Sequence, residues 1–253
     1  MTELPEDADW DVPGLPNWSK GLLHHEAQFD EWVGWIFENP VWKGKLWREG
    51  LDRQEVPPLQ KARIFNQAYR FQTRLFKRPE FLMEKFSPSQ IELGLFFLLF
   101  ESDHFKLSAP EEVSWEMEEE CIRAVPCLYE KLFAPLLGDD LAAAGSRSQS
   151  AAPFPVCYMW WDYFSIAIDD DSLQWRRRTD AYFAAFRQVL TLKSEACLES
   201  VLHGLGHAHL YRPEETEAII YEFLAKRQDI SPNLRFYAQQ RSEERRIGKE
   251  CRS

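Results

Sequence analysis

The sequence predicts an all-α protein, built as an irregular α-solenoid or as a multi-helix bundle of stacked antiparallel helix pairs. Three observations predict it. Apolar residues recur at offsets of three and four, the period of one helix face. Proline and serine start signals precede these windows at Pro57-Pro58, Ser87-Pro88, Ser108-Ala109-Pro110, Pro213 and Ser231-Pro232. No stretch of four or more residues sustains strand alternation.

Residues 1–20, with three prolines and several acids, read as an extended arm. The N-terminal helical part is residues 21–137. Its first helix is expected over about Glu26 to Glu38, where Phe29, Trp32, Val33, Ile36 and Phe37 form one face. Asn39-Pro40 ends it, because proline disfavours helical backbone in the residue before it. A short aromatic segment follows, with Trp42 and Trp47. Pro57-Pro58 opens a helix over about Leu59 to Phe76, since a proline in the first turn gives up an N–H that would be unpaired anyway. Ser87-Pro88-Ser89-Gln90 matches a capping box. The helix it opens, to about Phe100, is apolar nearly all round and is expected at the centre of the fold. Ser108 is expected to cap a strongly acidic helix that includes Glu118, with Pro126 breaking it.

Residues 138–155 are rich in Gly, Ser, Ala and Pro and read as a linker. The C-terminal helical part is residues 156–240. Helices are expected over Val156 to Ala167, Ser172 to Leu192, Ser194 to Gly206, about fifteen residues from Pro213, and onward from Pro232. Residues 241–253 depart in composition from what precedes them, with five basic and three acidic residues, and resemble translated vector or adapter sequence.

A net charge of −11 disfavours nucleic acid and anionic membrane surfaces as partners. Another protein is the expected partner. The acidic N-terminus lacks the basic start and apolar core of a signal peptide, and the apolar run at Leu93 to Phe100 is about half a membrane span. Cytoplasmic localisation follows as an expectation. Five cysteines, with no Cys-x-x-Cys pair, fit neither a zinc ribbon nor a disulfide framework and read as free thiols.

Chemistry is expected first in Glu195-Ala196-Cys197-Leu198-Glu199-Ser200-Val201-Leu202-His203-Gly204-Leu205-Gly206-His207. On a helix, Glu199, His203 and His207 are successive i, i+4 neighbours. Two imidazoles and a carboxylate are a donor set for zinc or iron. Gly204 stands where the His-Glu-x-x-His motif has its general base, so the protease reading fails. The competing structural reading ends the helix at Gly206 in a left-handed cap and leaves His207 outside it.

Residues 194–240 also resemble one helix–turn–helix unit of HEAT-like repeats, and a stretch found in bacterial proteins of unknown function. That resemblance implies protein binding on a concave surface. A second candidate is Tyr158-Met159-Trp160-Trp161-Asp162, where Trp160, Trp161 and Asp162 can line a small-ligand pocket or lie in a core helix. Asp169-Asp170-Asp171 lacks the spacing of a calcium loop, and Arg176-Arg177-Arg178 can pair with it or stay solvated.

No phosphate-binding glycine loop, dinucleotide fingerprint or serine nucleophile elbow occurs. The expected function is therefore a protein-binding scaffold or adaptor acting through an acidic or aromatic face, with no cofactor. The alternatives are a helical enzyme that uses a divalent metal on Glu199, His203 and His207, and a small-ligand-binding protein with a Trp-lined pocket.

Overall fold

The computed structural model describes residues 25–38, 58–101, 113–138, 155–162 and 173–250. The described residues are helical throughout, joined by turns, and contain no strand. The expected arm (1–20), most of the linker, the aromatic segment with Trp42 and Trp47, the Ser108 start signal and the Asp169–Asp171 run lie outside the described residues. So do residues 251–253 of the tail.

Helix α1 spans His25–Phe37 and α2 spans Pro58–Lys77. After the short α3, Phe81–Lys85, comes α4, Pro88–Phe96, which widens into a π segment over Phe97–Glu101. The capping box at Ser87 is present in both directions: Ser87 accepts from the Gln90 N–H and the Gln90 side chain accepts from the Ser87 N–H. Helix α5 spans Trp115–Leu128 and begins on a second serine, Ser114, which accepts from the Met117 N–H. Pro126 does not break α5. It lies inside the helix, which runs on through a π turn at Tyr129–Phe133 into α6, Ala134–Leu137.

The C-terminal half opens with α7, Pro155–Tyr158, and a 3₁₀ turn at Met159–Trp161. Four helices follow: α8, Leu173–Val189; α9, Glu195–Ala208; α10, Pro213–Lys226; and α11, Pro232–Glu250. The helix starts at Pro58, Pro213 and Pro232 agree with their first-turn prolines.

The centre of the fold is α9 rather than α4. In α4, Glu92, Leu93 and Phe96 are only half-buried. In α9, ten of fourteen residues are buried, and α6, α7, the 3₁₀ turn, α8, α10 and α11 all pack on it. A helix surrounded on so many sides is the product of a bundle; in a one-dimensional stack each unit touches only its neighbours.

On the other side, α2 lies along α5, and α5 along α8. There Glu118 on α5 receives two bonds from the Arg178 guanidinium on α8, at 2.5 and 3.2 Å. The carboxylate is 1% exposed and the arginine 13%. Burial alone lowers the Arg178 pKa, but the hydrogen bond and charge of Glu118 reverse this, so the net shift is upward.

The aromatic core joins the two halves. Trp160 meets Phe76 and Phe133 edge-on at 5.5 and 5.6 Å, and Trp161 stacks on Tyr129 at 5.4 Å. At Gly94 a Cβ would run into the Phe37 ring, so this glycine lets α1 and α4 approach closely. Among the described residues, no helix is long and apolar enough to cross a membrane.

Candidate metal centre

Helix α9 starts at Ser194, whose hydroxyl donates to the Gly138 carbonyl at 3.0 Å and ties the helix to the end of α6. Glu195 in the first turn accepts from the Ser231 N–H, holding the start of α11. Cys197, Leu198, Val201, Leu202 and Leu205 are fully buried and fix the rotation of the helix. That rotation brings His203 and His207 to the rim of the core, one turn apart on the same face.

The helix does not stop at Gly206. It continues through both glycines to Ala208, so His207 remains helical and in register with His203. The only positive-φ glycine among the described residues is Gly138, so neither Gly204 nor Gly206 acts as a left-handed cap. Gly204 serves a close approach instead. A Cβ there would lie 2.6 Å from the Trp161 Cβ. Its absence lets the 3₁₀ turn rest directly on α9, with Trp161 between Tyr129 and Phe186.

Asp162 follows immediately, its N–H donating to the Met159 carbonyl at 3.0 Å. Anchored this way, the Asp162 Oδ1 lies 2.7 Å from His203 Nε2 and 3.3 Å from His207 Nε2. The two Nε2 atoms are 3.2 Å apart. Tyr158 stacks on the His203 ring at 4.2 Å and fixes its plane, and the Tyr158 hydroxyl meets that of Tyr237 on α11 at 3.1 Å.

Two of these distances, 3.2 and 3.3 Å, are those of ligands around one ion, and the 2.7 Å contact of Asp162 with His203 is a hydrogen bond that a bound ion would replace. Bonds of about 2.1 Å at tetrahedral or octahedral angles put neighbouring donor atoms about 3.0–3.4 Å apart. Both Nε2 atoms lie within reach of the Asp162 carboxylate, and in the neutral tautomer that carries its hydrogen on Nδ1 each offers a lone pair. Partial burial raises the Asp162 pKa, but hydrogen bonds from His203 and His207 and their charge outweigh it, bringing it to about 2. The carboxylate is therefore ionised at neutral pH. Exposure rises outward, from 15% for His203 through 22% for Asp162 to 49% for His207, so the group opens to solvent on the His207 side. His203 Nδ1 is buried and makes no hydrogen bond among the described residues.

Of the residues singled out in the sequence, the structure brings together His203, His207 and Asp162. Glu199 is fully buried and is not part of this group. Trp160 and Trp161 are fully buried core residues with different ring partners; they support the turn that carries Asp162 and line no opening to solvent. Arg178 is largely buried and bound to Glu118. Cys157 and Cys197 are buried free thiols and are not in the ligand group. Burial, helped by Cys197, raises the Cys157 pKa, while the Cys157 hydrogen bond lowers that of Cys197.

Sequence reasoning reached Asp162 only as an anchor for an aromatic pocket. The nearest local signal for its true neighbours was Gly204, a glycine inside a helix where something must come close. No protein family, curated protein or solved structure matches the chain.

Proposed function

We propose that this chain binds one divalent transition-metal ion through Asp162 Oδ1, His203 Nε2 and His207 Nε2. The observation that carries the reading is the convergence of three donor atoms, from a 3₁₀ turn and a helix 41 residues apart, at 2.7, 3.2 and 3.3 Å from one another. Two neutral imidazoles and a carboxylate suit zinc, iron(II), manganese or cobalt(II). Three protein ligands leave coordination positions for water or substrate, the arrangement of reactive rather than purely structural sites. Metal-assisted hydrolysis or oxygen chemistry are the reaction classes such a site serves. Equilibrium dialysis against zinc and cobalt(II) tests the reading. One bound equivalent is expected, with visible cobalt(II) bands that His203→Ala abolishes. A wild-type protein that takes up no stoichiometric metal sinks it.

A second reading, a protein-binding scaffold, draws support from a different region. Four of the six exposed large apolar side chains among the described residues, Leu210, Tyr211, Tyr221 and Phe236, fall on α10, α11 and the turn before them. Exposed apolar side chains gathered in one region are a mark of interaction sites. Cross-linking in the native cell tests it: links concentrated on residues 210–236 favour a scaffold, and links spread over the whole surface count against it.

A further inference from the structure

We propose that the C-terminal half of α2 carries a second ligand site, an anion pocket that takes a small phosphorylated molecule. Arg70, Arg74 and Lys77 share one face of α2, and Arg78 follows directly after its last residue, its N–H donating to the Arg74 carbonyl at 3.2 Å. A cavity of about 280 Å³ opens along that face, lined by these four cations with Thr73 and Glu120. Such a concentration is conspicuous in a chain with 41 acidic residues and a net charge of −11.

The existing partners do not neutralise it. Glu26 forms a two-pronged pair with Arg74 at 2.5 and 3.0 Å, and Glu120 pairs with Lys77 at 2.5 Å. Arg70 and Arg78 are exposed and have no acidic partner among the described residues. Lys131 adds another cation at the edge, donating to the Lys77 carbonyl at 3.1 Å. The helix dipole accounts for basic residues in the last turn of α2, but its effect fades within one turn and Arg70 lies about two turns earlier.

Counted against Glu26 and Glu120, the four cations leave an excess of two. A phosphate monoester carries about −1.5 to −2 near neutral pH. Guanidinium forks match phosphate oxygens two at a time, which an ammonium cannot do. A volume of about 280 Å³ is just below the range of ligand pockets and suits a small phosphorylated group. The Thr73 hydroxyl is already used on the Tyr69 carbonyl at 2.8 Å, so this side chain forms floor and the arginines do the recognition.

Calorimetric titration with inorganic pyrophosphate tests the site. The wild type is expected to bind one equivalent, more weakly as salt rises. Arg70→Ala/Arg78→Ala should lose at least tenfold in affinity with an unchanged unfolding temperature, because both side chains are exposed. Arg70→Lys/Arg78→Lys keeps the charge and should still lose several-fold. Glu120→Gln should bind more tightly, and His207→Ala, in the other candidate site, should bind as the wild type does. The proposal is overturned if the wild type does not bind, or if the double alanine variant binds equally well. It is also overturned if the double lysine variant matches the wild type, or if His207→Ala removes binding.

Discussion

Glu118 and Asp162 each reach across the fold to a nitrogen base, and the two pairings differ in almost every physical respect. Glu118 meets Arg178 with both groups nearly sealed from water. Its partner never gives up its proton, so the pair cannot change state. Asp162 meets two imidazoles at an opening to solvent, and those partners can each lose a proton and offer a lone pair instead. The first arrangement fastens α5 to α8. The second is held open by its neighbours, with Gly204 and Trp161 setting the position and Tyr158 the plane of His203. The lesson is that the kind of cation, and its access to water, separates a fastening from a site more clearly than proximity of charges does.

The largest effect is expected at the sealed pair. Glu118→Gln leaves the Arg178 charge buried without its counter-ion and should cost about 3–5 kcal/mol in urea unfolding. The double variant Glu118→Gln/Arg178→Met, which removes the stranded charge, should recover much of that loss. Equal losses for single and double variants would show that the pair does not act as a unit.

Gly204→Ala is expected to have the next largest effect. A Cβ 2.6 Å from the Trp161 Cβ must push the 3₁₀ turn off α9. Overpacking of this sort costs about 1–3 kcal/mol, against the gain of about 1 kcal/mol that alanine normally brings to a helix. Asp162 moves with that turn, so metal affinity should fall more steeply than stability. A variant as stable as the wild type with intact metal binding would contradict the close-approach role.

Asp162→Asn should have a smaller, pH-dependent effect on the metal-free protein. The folded-state pKa is lowered to about 2 from the usual carboxylate range. A group shifted down stabilises the fold above its unfolded pKa, and that contribution is lost as pH falls through the folded value. The variant should therefore be less stable by at most about 2 kcal/mol where the histidines are charged and pH exceeds about 4, with the difference vanishing toward pH 2. A difference that persists at pH 2 would assign the loss to packing instead of charge.

Much of the fold was legible in the sequence because helix starts are local events. Ser87 with Gln90, and the prolines at 58, 213 and 232, act within one turn of themselves. Pro126 and the two glycines of α9 misled, since burial of the surrounding residues outweighed their local preferences. The pair His203 and His207 was legible from its spacing. The third member was not, because Asp162 lies 41 residues before His203 and arrives by packing alone.

Glu199 shares the i, i+4 spacing, yet each such step turns about 40° around the helix axis. Glu199 and His207 thus differ by about 80°, and the structure turns Glu199 into the core, where its charge helps raise the Cys157 pKa.

The most direct measurement compares bound metal in Asp162→Asn and Glu199→Gln, each loaded with zinc and analysed by elemental mass spectrometry beside the wild type. One equivalent is expected in the wild type and in Glu199→Gln, and a loss of at least tenfold in affinity in Asp162→Asn. Metal retained in Asp162→Asn but lost in a folded Glu199→Gln would contradict it, and would return the site to the single-helix stripe of Glu199, His203 and His207.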